Sequence, residues 1–313
     1  MSIYGVLIME KSQIPAKARE KFTKAGYRIV GNHSAVEICH WTKESLRKGR
    51  VCYKEKWYGI KSHRCLEMTP SLIWCTHKCS FCWRPLEFTK KGEPKPDEPA
   101  DIIDSCVKAR YLLLTGFKGN MKVENEKWNE AIKPTNAAIS LAGEPTLYPR
   151  ISELIEEFHR RGMTTFLVTN GTRPDRLKVL ATEPTQLYIS LCSPDAASYK
   201  KIHSPLIKDG WKRLNESLEL MKSFDCRTVV RMTMAKGLNM VKPEKYAKLI
   251  LKTDCDFIEV KGYMWIGGSQ LTMKKSAMPF MDDVREFAKR ISEETGYEIR
   301  DEDTASKVVL LRK

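Results

Sequence analysis

Six short apolar runs recur along the chain, at 66–74, 136–141, 164–169, 186–191, 227–234 and 257–261. Helical stretches separate or follow them, read at 99–117, 150–161, 174–181, 210–224 and 242–253, with a late one at 280–294 before a polar tail. This alternation constrains the fold more than any other feature. Strands joined by helical crossovers run parallel, because a tight turn would reverse the chain. Their β-branched, nearly continuous apolar character marks strands covered on both faces. The expected architecture is α/β, a partial (β/α)6 TIM-like barrel with helices outside; periodicity leaves open whether the sheet closes. In such folds the loops that follow the strands build the site.

Ahead of this region lies a segment of different character. Residues 12–26 read as a short basic helix stopped by Gly26, and 33–64 are polar, with Trp41, Tyr53, Trp57 and Tyr58 set among Lys and Arg. The chain therefore divides into a basic N-terminal extension, 1–65, and a core with a C-terminal extension, 66–313. The net charge of +15 is uneven, since residues 1–65 hold fourteen Lys/Arg against five acids. That excess fits a polyanionic partner such as nucleic acid, or a solvated surface rich in ion pairs. No apolar run reaches eighteen residues, so no membrane span is expected. Residues 1–9 lack a charged n-region and read as an opening strand rather than a signal peptide. Ten cysteines without an export signal point to a reduced, cytoplasmic protein in which some thiols bind metal.

Six of those cysteines lie between 39 and 82. Cys75, Cys79 and Cys82 form a C-x3-C-x2-C loop directly after the first strand of the core. Soft thiolates suit an iron–sulfur cluster or zinc. A closed zinc site wants four ligands, and no fourth Cys or His follows at a matching spacing. Three thiolates would leave one iron of a four-iron cluster open. Cys39, Cys52 and Cys65 stand thirteen residues apart, a spacing that serves either a second three-thiolate cluster or three small buried residues. After later strands come Gly143-Glu144-Pro145, then Asn170-Gly171, then Ser190 leading to Ser193. Each reads equally as an ordinary turn; their shared face makes ligand contact the more interesting reading.

Together these residues resemble the radical S-adenosylmethionine superfamily over 66–261. The resemblance implies a [4Fe-4S] cluster on Cys75, Cys79 and Cys82, with Phe81 beside the adenine of S-adenosylmethionine. Gly143 and Glu144 would meet the methionine amino group, with Asn170 and Ser190 as further contacts. The three upstream cysteines, followed by Cys75-Thr-His-Lys-Cys79-Ser-Phe-Cys82-Trp-Arg84, are similar to the archaeal wyosine-base synthase family across nearly the whole chain. That family implies a second [4Fe-4S] cluster on Cys39, Cys52 and Cys65. It also implies a substrate, N1-methylguanosine next to the anticodon of tRNA-Phe, and pyruvate as two-carbon donor.

The reaction implied is that of a carbon–carbon lyase. A deoxyadenosyl radical takes hydrogen from the N-methyl group, the carbon radical attacks the pyruvate carbonyl carbon, and scission and ring closure give 4-demethylwyosine. Pyruvate would be held by the open iron of the second cluster or as an imine on Lys54, which matches the family's lysine position. Trp41, Trp57 and Trp83 are candidates to stack the flipped base, and the basic extension to meet phosphate. An external electron donor and a monomeric protein complete the expectation. The alternatives are another two-cluster radical enzyme, such as a glycyl-radical activase, and a zinc-bearing nucleic-acid module without catalysis.

Overall fold

The computed structural model describes residues 12–47 and 49–313; the opening strand read at 1–9 lies outside them. In chain order, helix α1 (Ala16–Lys24) precedes a hairpin of β1 (Arg28–Val30) and β2 (Ser34–Glu37). Two short helices follow, α2 (His40–Leu46) and α3 (Tyr53–Tyr58), and then β3 (Cys65–Thr69). The long helix α4 (Pro99–Lys118) and the short α5 (Asn125–Ala131) lead to β4 (Asn136–Ile139), α6 (Ile151–Arg160), β5 (Thr164–Thr169) and α7 (Pro174–Lys178). Next are β6 (Gln186–Ser190), α8 (Ala196–His203), α9 (Gly210–Leu220), β7 (Arg227–Met234), α10 (Pro243–Ile250) and β8 (Phe257–Gly262). Helix α11 (Met281–Thr295) and a closing hairpin, β9 (Glu298–Asp303) and β10 (Val308–Arg312), finish the chain.

All ten strands form one sheet in the order β1-β2-β3-β4-β5-β6-β7-β8-β10-β9. Strands β3 to β8 are parallel and consecutive, as the six expected βα units require. Antiparallel hairpins extend both sides, β2 on β3 and β10 on β8. Among the described residues no pairing joins β1 to β9, so the barrel is partial and open.

The helices cover the outside by ordinary amphipathic logic. In α6, Ile151, Leu154, Ile155 and Phe158 repeat at i, i+3, i+4, i+7 and are buried. Each such side chain contributes about 1.5–3 kcal/mol on leaving water. Helix α4 opens on Pro99 and buries Ile102, Ile103, Cys106 and Ala109 against the same core, and Leu114 in a smaller cluster with Ile38, Leu46 and Ala131.

Two differences from the sequence reading concern the ends. The boundary at 65/66 marks no break in packing: Ala35, Val36 and Glu37 pair with Thr69, Met68 and Glu67. Val30 and Val36 belong to the main apolar core. The C-terminal stretch read as a polar tail is a hairpin. Strand β9 (Glu-Ile-Arg-Asp-Glu-Asp) looks unlike a strand because it is the sheet's edge, where charge costs no burial and blocks further pairing. Its partner β10 buries Val308, Val309, Leu310 and Leu311.

Candidate active site at the open end of the barrel

The Cys75–Cys82 loop, Gly143-Glu144, Asn170-Gly171 and Ser190 all lie at or after the C-terminal end of a parallel strand. The cysteine loop is bound to the end of α8: the Lys78 and Ser80 amides donate to the carbonyls of His203 and Ile202 at 2.9 Å. Cys75 is buried and Cys79 and Cys82 half-buried. Burial pushes the Cys75 and Cys79 thiols up, and neighbouring thiols add to this. Arg84 lies buried beside all three; burial works against its charge, yet Cys75, Cys82 and Cys79 more than compensate. Three clustered thiols, two of them raised by burial, next to a buried cation suit a thiolate-bound centre of net negative charge.

The spacing separates the two metal readings. Among the described residues, the set of donor atoms drawn within 4.8 Å of one another is His77, Cys79 and His203. Neither cysteine trio is gathered that tightly, which fits ligands on separate irons of a cluster better than ligands of one zinc ion. His203 was not singled out by the sequence, yet its Nδ1 lies 3.0 Å from Cys79 Sγ. His77 turns its Nε2 to the Tyr199 hydroxyl at 2.5 Å.

Around this loop lie the residues expected to meet S-adenosylmethionine. Gly143 has φ +71°, and a Cβ there would sit 1.9 Å from the Ser71 carbonyl oxygen and 2.8 Å from that of Trp74. Its need for glycine therefore comes from the backbone that leads into the cysteine loop. Glu144 is buried with its carboxylate oriented from several sides. Oε1 accepts from the Thr146 and Thr169 hydroxyls, both at 2.6 Å, and Oε2 from the Asn170 amide at 2.7 Å. Burial raises its pKa and these bonds oppose the rise. Oε2 keeps a lone pair for an ammonium donor. The Asn170 side chain donates to Thr76 Oγ1 at 2.9 Å, with Cys75 Sγ at 3.8 Å. Ser190 ends β6 half-buried. Phe81 sets its ring edge-on to His203, centroids 5.8 Å apart.

The upstream cysteines each open an element: Cys39 caps α2, Cys52 caps α3, and Cys65 begins β3. Burial raises all three thiols, Cys65 to about 12, and Cys65 feels Cys52 while Cys39 feels Cys65. Their wide spacing in sequence thus closes into one group in space. Arg110, missed in the sequence as a helix residue, is buried behind them, donating to the carbonyls of Cys65 at 3.1 Å and His63 at 2.6 Å. Glu37 and Glu67 face each other across the β2–β3 ladder beside this group, and burial, then Glu67, pushes Glu37 up to about 7.

Lys54 is buried at 8% exposure, with Nζ 4.6 Å from the Tyr188 ring centroid and 5.0 Å from that of Phe166. Among the described residues its ammonium has no acceptor and no ion-pair partner. Burial lowers its pKa first and Arg231 second, with Glu259, Cys52 and Cys65 opposing. The helix that carries it is fixed by Glu259, which accepts from Tyr53 and Tyr58, both at 2.9 Å, and lies 3.6 Å from Arg231. Lys261, also overlooked, is lowered to about 8 by burial and then Arg231, and donates to the Ser306 carbonyl at 2.7 Å.

The candidate stacking residues divide. Trp57 donates its indole N–H to Asp301 at 2.9 Å and packs with the Tyr58 cluster, so it is a wall. Trp41 is half-buried against His40, and Trp83 is 46% exposed at the rim.

The parallel partial barrel with a three-cysteine loop after its first parallel strand defines a radical S-adenosylmethionine protein. Residues 70–250 match the family described as the Radical SAM superfamily, and 252–313 match Wyosine base formation. A Pyrococcus horikoshii S-adenosyl-L-methionine-dependent tRNA 4-demethylwyosine synthase is 51% identical, over 98% of this chain and 92% of that one. The Methanocaldococcus jannaschii protein of the same name is 38% identical over 96% of each. A solved structure of TYW1 with a lysine–pyruvate adduct bound superposes with a TM-score of 0.88 at 37% identity, covering 96% of each chain. The chain belongs to the S-adenosyl-L-methionine-dependent tRNA 4-demethylwyosine synthase family. Membership brings S-adenosylmethionine and an iron–sulfur cluster as cofactors. No helix among the described residues is long and apolar enough to cross a membrane.

Proposed function

We propose that this protein condenses N1-methylguanosine, next to the anticodon of tRNA-Phe, with pyruvate to give 4-demethylwyosine, as a carbon–carbon lyase. The observation that carries the reading is Lys54: a buried amine without a hydrogen-bond acceptor or ion-pair partner among the described residues, beside Cys52 and Cys65 and inside the barrel whose rim bears the radical cysteine loop. A lysine whose charge is disfavoured by burial is a nucleophile for a carbonyl. The related structure with a lysine–pyruvate adduct supports the same role here. Cys75, Cys79 and Cys82 would hold one [4Fe-4S] cluster and Cys39, Cys52 and Cys65 a second.

When bound, a reduced cluster on the first trio supplies the electron that cleaves S-adenosylmethionine to a carbon radical. Glu144 receives the methionine ammonium, its lone pairs aimed by Thr146, Thr169 and Asn170. Phe81, Asn170 and Ser190 border the nucleoside end, and Gly143 keeps the strand end against the cysteine loop. Lys54 holds pyruvate as an imine, and the Tyr188 and Phe166 rings keep water from it. The electron comes from an external donor, and the protein acts as a cytoplasmic monomer. The 1–65 segment supplies the second trio and Lys54, and the 66–313 segment the radical site.

The test is anaerobic turnover with reductant, S-adenosylmethionine and pyruvate. Deoxyadenosine release should rise at least tenfold with tRNA carrying N1-methylguanosine over tRNA carrying unmodified guanosine. Release stimulated only by a protein partner would replace this reading with a glycyl-radical activase.

A further inference from the structure

The stretch from Val260 to Met281 contains no Asp or Glu. It joins β8 to α11 and lies in the part of the chain matched by Wyosine base formation, past the end of the general radical domain at residue 250. The loop is fastened to the cysteine loop at three points. A Cβ on Gly267 would sit 2.4 Å from the Trp83 carbonyl oxygen, and one on Gly268 2.3 Å from that of Arg84. Thr272 Oγ1 donates to the Ser80 carbonyl at 2.5 Å. Both adjacent glycines are required for close approach, Gly267 also for its left-handed backbone at φ +54°, and they lock the loop onto the rim of the radical site.

What the locked loop presents is unusual for a surface. Met264, Ile266 and Leu271 are 37%, 47% and 82% exposed, beside Trp83 at 46%. Lys274 and Lys275 follow, exposed and without an ion pair among the described residues, on a surface where many other charges are paired. Apolar faces beside unneutralised cations match single-stranded nucleic acid, which offers base faces and phosphates at short intervals. A flipped base leaves its former neighbours partly unstacked, and those need an apolar surface close to the site.

We propose that this loop, with Trp83, grips the RNA beside the target nucleotide: Trp83, Ile266 and Leu271 cover neighbouring bases, and Lys274 and Lys275 meet phosphates. The proposal rests on the tRNA reading above and places the grip on the C-terminal side of the barrel, apart from the basic N-terminal segment.

The experiment uses full-length protein and an anticodon stem-loop of tRNA-Phe carrying N1-methylguanosine, with binding measured across a salt series. Lys274→Ala with Lys275→Ala should weaken binding about tenfold and flatten the slope of log K against log salt by roughly 1.4, or about 0.7 per lost single-strand contact. Leu271→Asp should weaken it by about tenfold or more. All three side chains are exposed, so an unchanged melting temperature checks that the variants are folded. Wild-type affinity and slope in both variants would overturn the proposal, as would a Leu271→Asp variant that binds RNA normally but dissociates a dimer of the wild type. A wild-type protein that ignores the RNA would take down the substrate reading as well, which separates the two failures.

Discussion

Lys54 and Glu259 are buried charges treated in opposite ways. Glu259 is fully buried and held by two tyrosine hydroxyls and Arg231, whereas the Lys54 ammonium is left without a hydrogen bond. The satisfied carboxylate is structural, and the amine without an acceptor is the group to which the proposed imine is assigned. Glu259→Ala should therefore destabilise the fold by roughly 3–5 kcal/mol, because Arg231 and both tyrosines lose their shared acceptor; urea unfolding measures this. At Gly143 the positive φ and the 1.9 Å approach to Ser71 leave no room for a side chain. Gly143→Ala should cost at least about 2 kcal/mol, read as a lowered melting temperature.

Among the elements, α8 decides how the cysteine loop is presented, since its last turn binds the Lys78 and Ser80 amides. Asp195 caps it, accepting from the Ser198 amide at 2.9 Å, and this bond together with Lys242 holds its carboxyl well below the usual range. Asp195→Ala should cost about 1 kcal/mol. A carboxylate depressed in the fold contributes stability that is full above its unfolded pKa near 4 and lost as pH falls toward the folded value. The variant and wild type should thus converge in melting temperature on acidification. Helix α8 was not legible in the sequence, nor were α2, α3, α5 and the β1–β2 hairpin: at three to eight residues they show little period of their own, and they fall outside the one-strand, one-helix alternation that exposed the equally short α7 and α10. The alternating strands and helices of the core were legible, with β5 and β7 matched residue for residue, because their apolar runs recur at regular intervals. Cys75, Cys79, Cys82 and Glu144 were visible as motifs, whereas Cys39, Cys52, Cys65 and Lys54 were singled out only through the family resemblance. His203, Arg110, Arg231, Lys261 and Glu259 act through contacts between distant strands and helices, which spacing along one chain does not encode.

At the scale of the whole molecule, a single sheet carries both cysteine trios. The first sits on the loop after β3; the second is assembled from the starts of α2, α3 and β3 itself. Strand β3 therefore bears Cys65 at one end and leads to Cys75 at the other, which fixes the two groups relative to each other. Anaerobically reconstituted protein should hold about eight irons, falling to about four when Cys39, Cys52 and Cys65 are replaced by alanine; iron and sulfide analysis checks this. The central claim is that Lys54 holds pyruvate facing a radical made on the cysteine loop. It is tested most directly by turnover with tRNA-Phe carrying N1-methylguanosine and pyruvate isotopically labelled in its two retained carbons, with mass spectrometry of the tRNA nucleosides. Wild-type protein should place the label in 4-demethylwyosine, and Lys54→Ala should release deoxyadenosine without labelled product. Labelled product from Lys54→Ala at the wild-type rate would contradict the account.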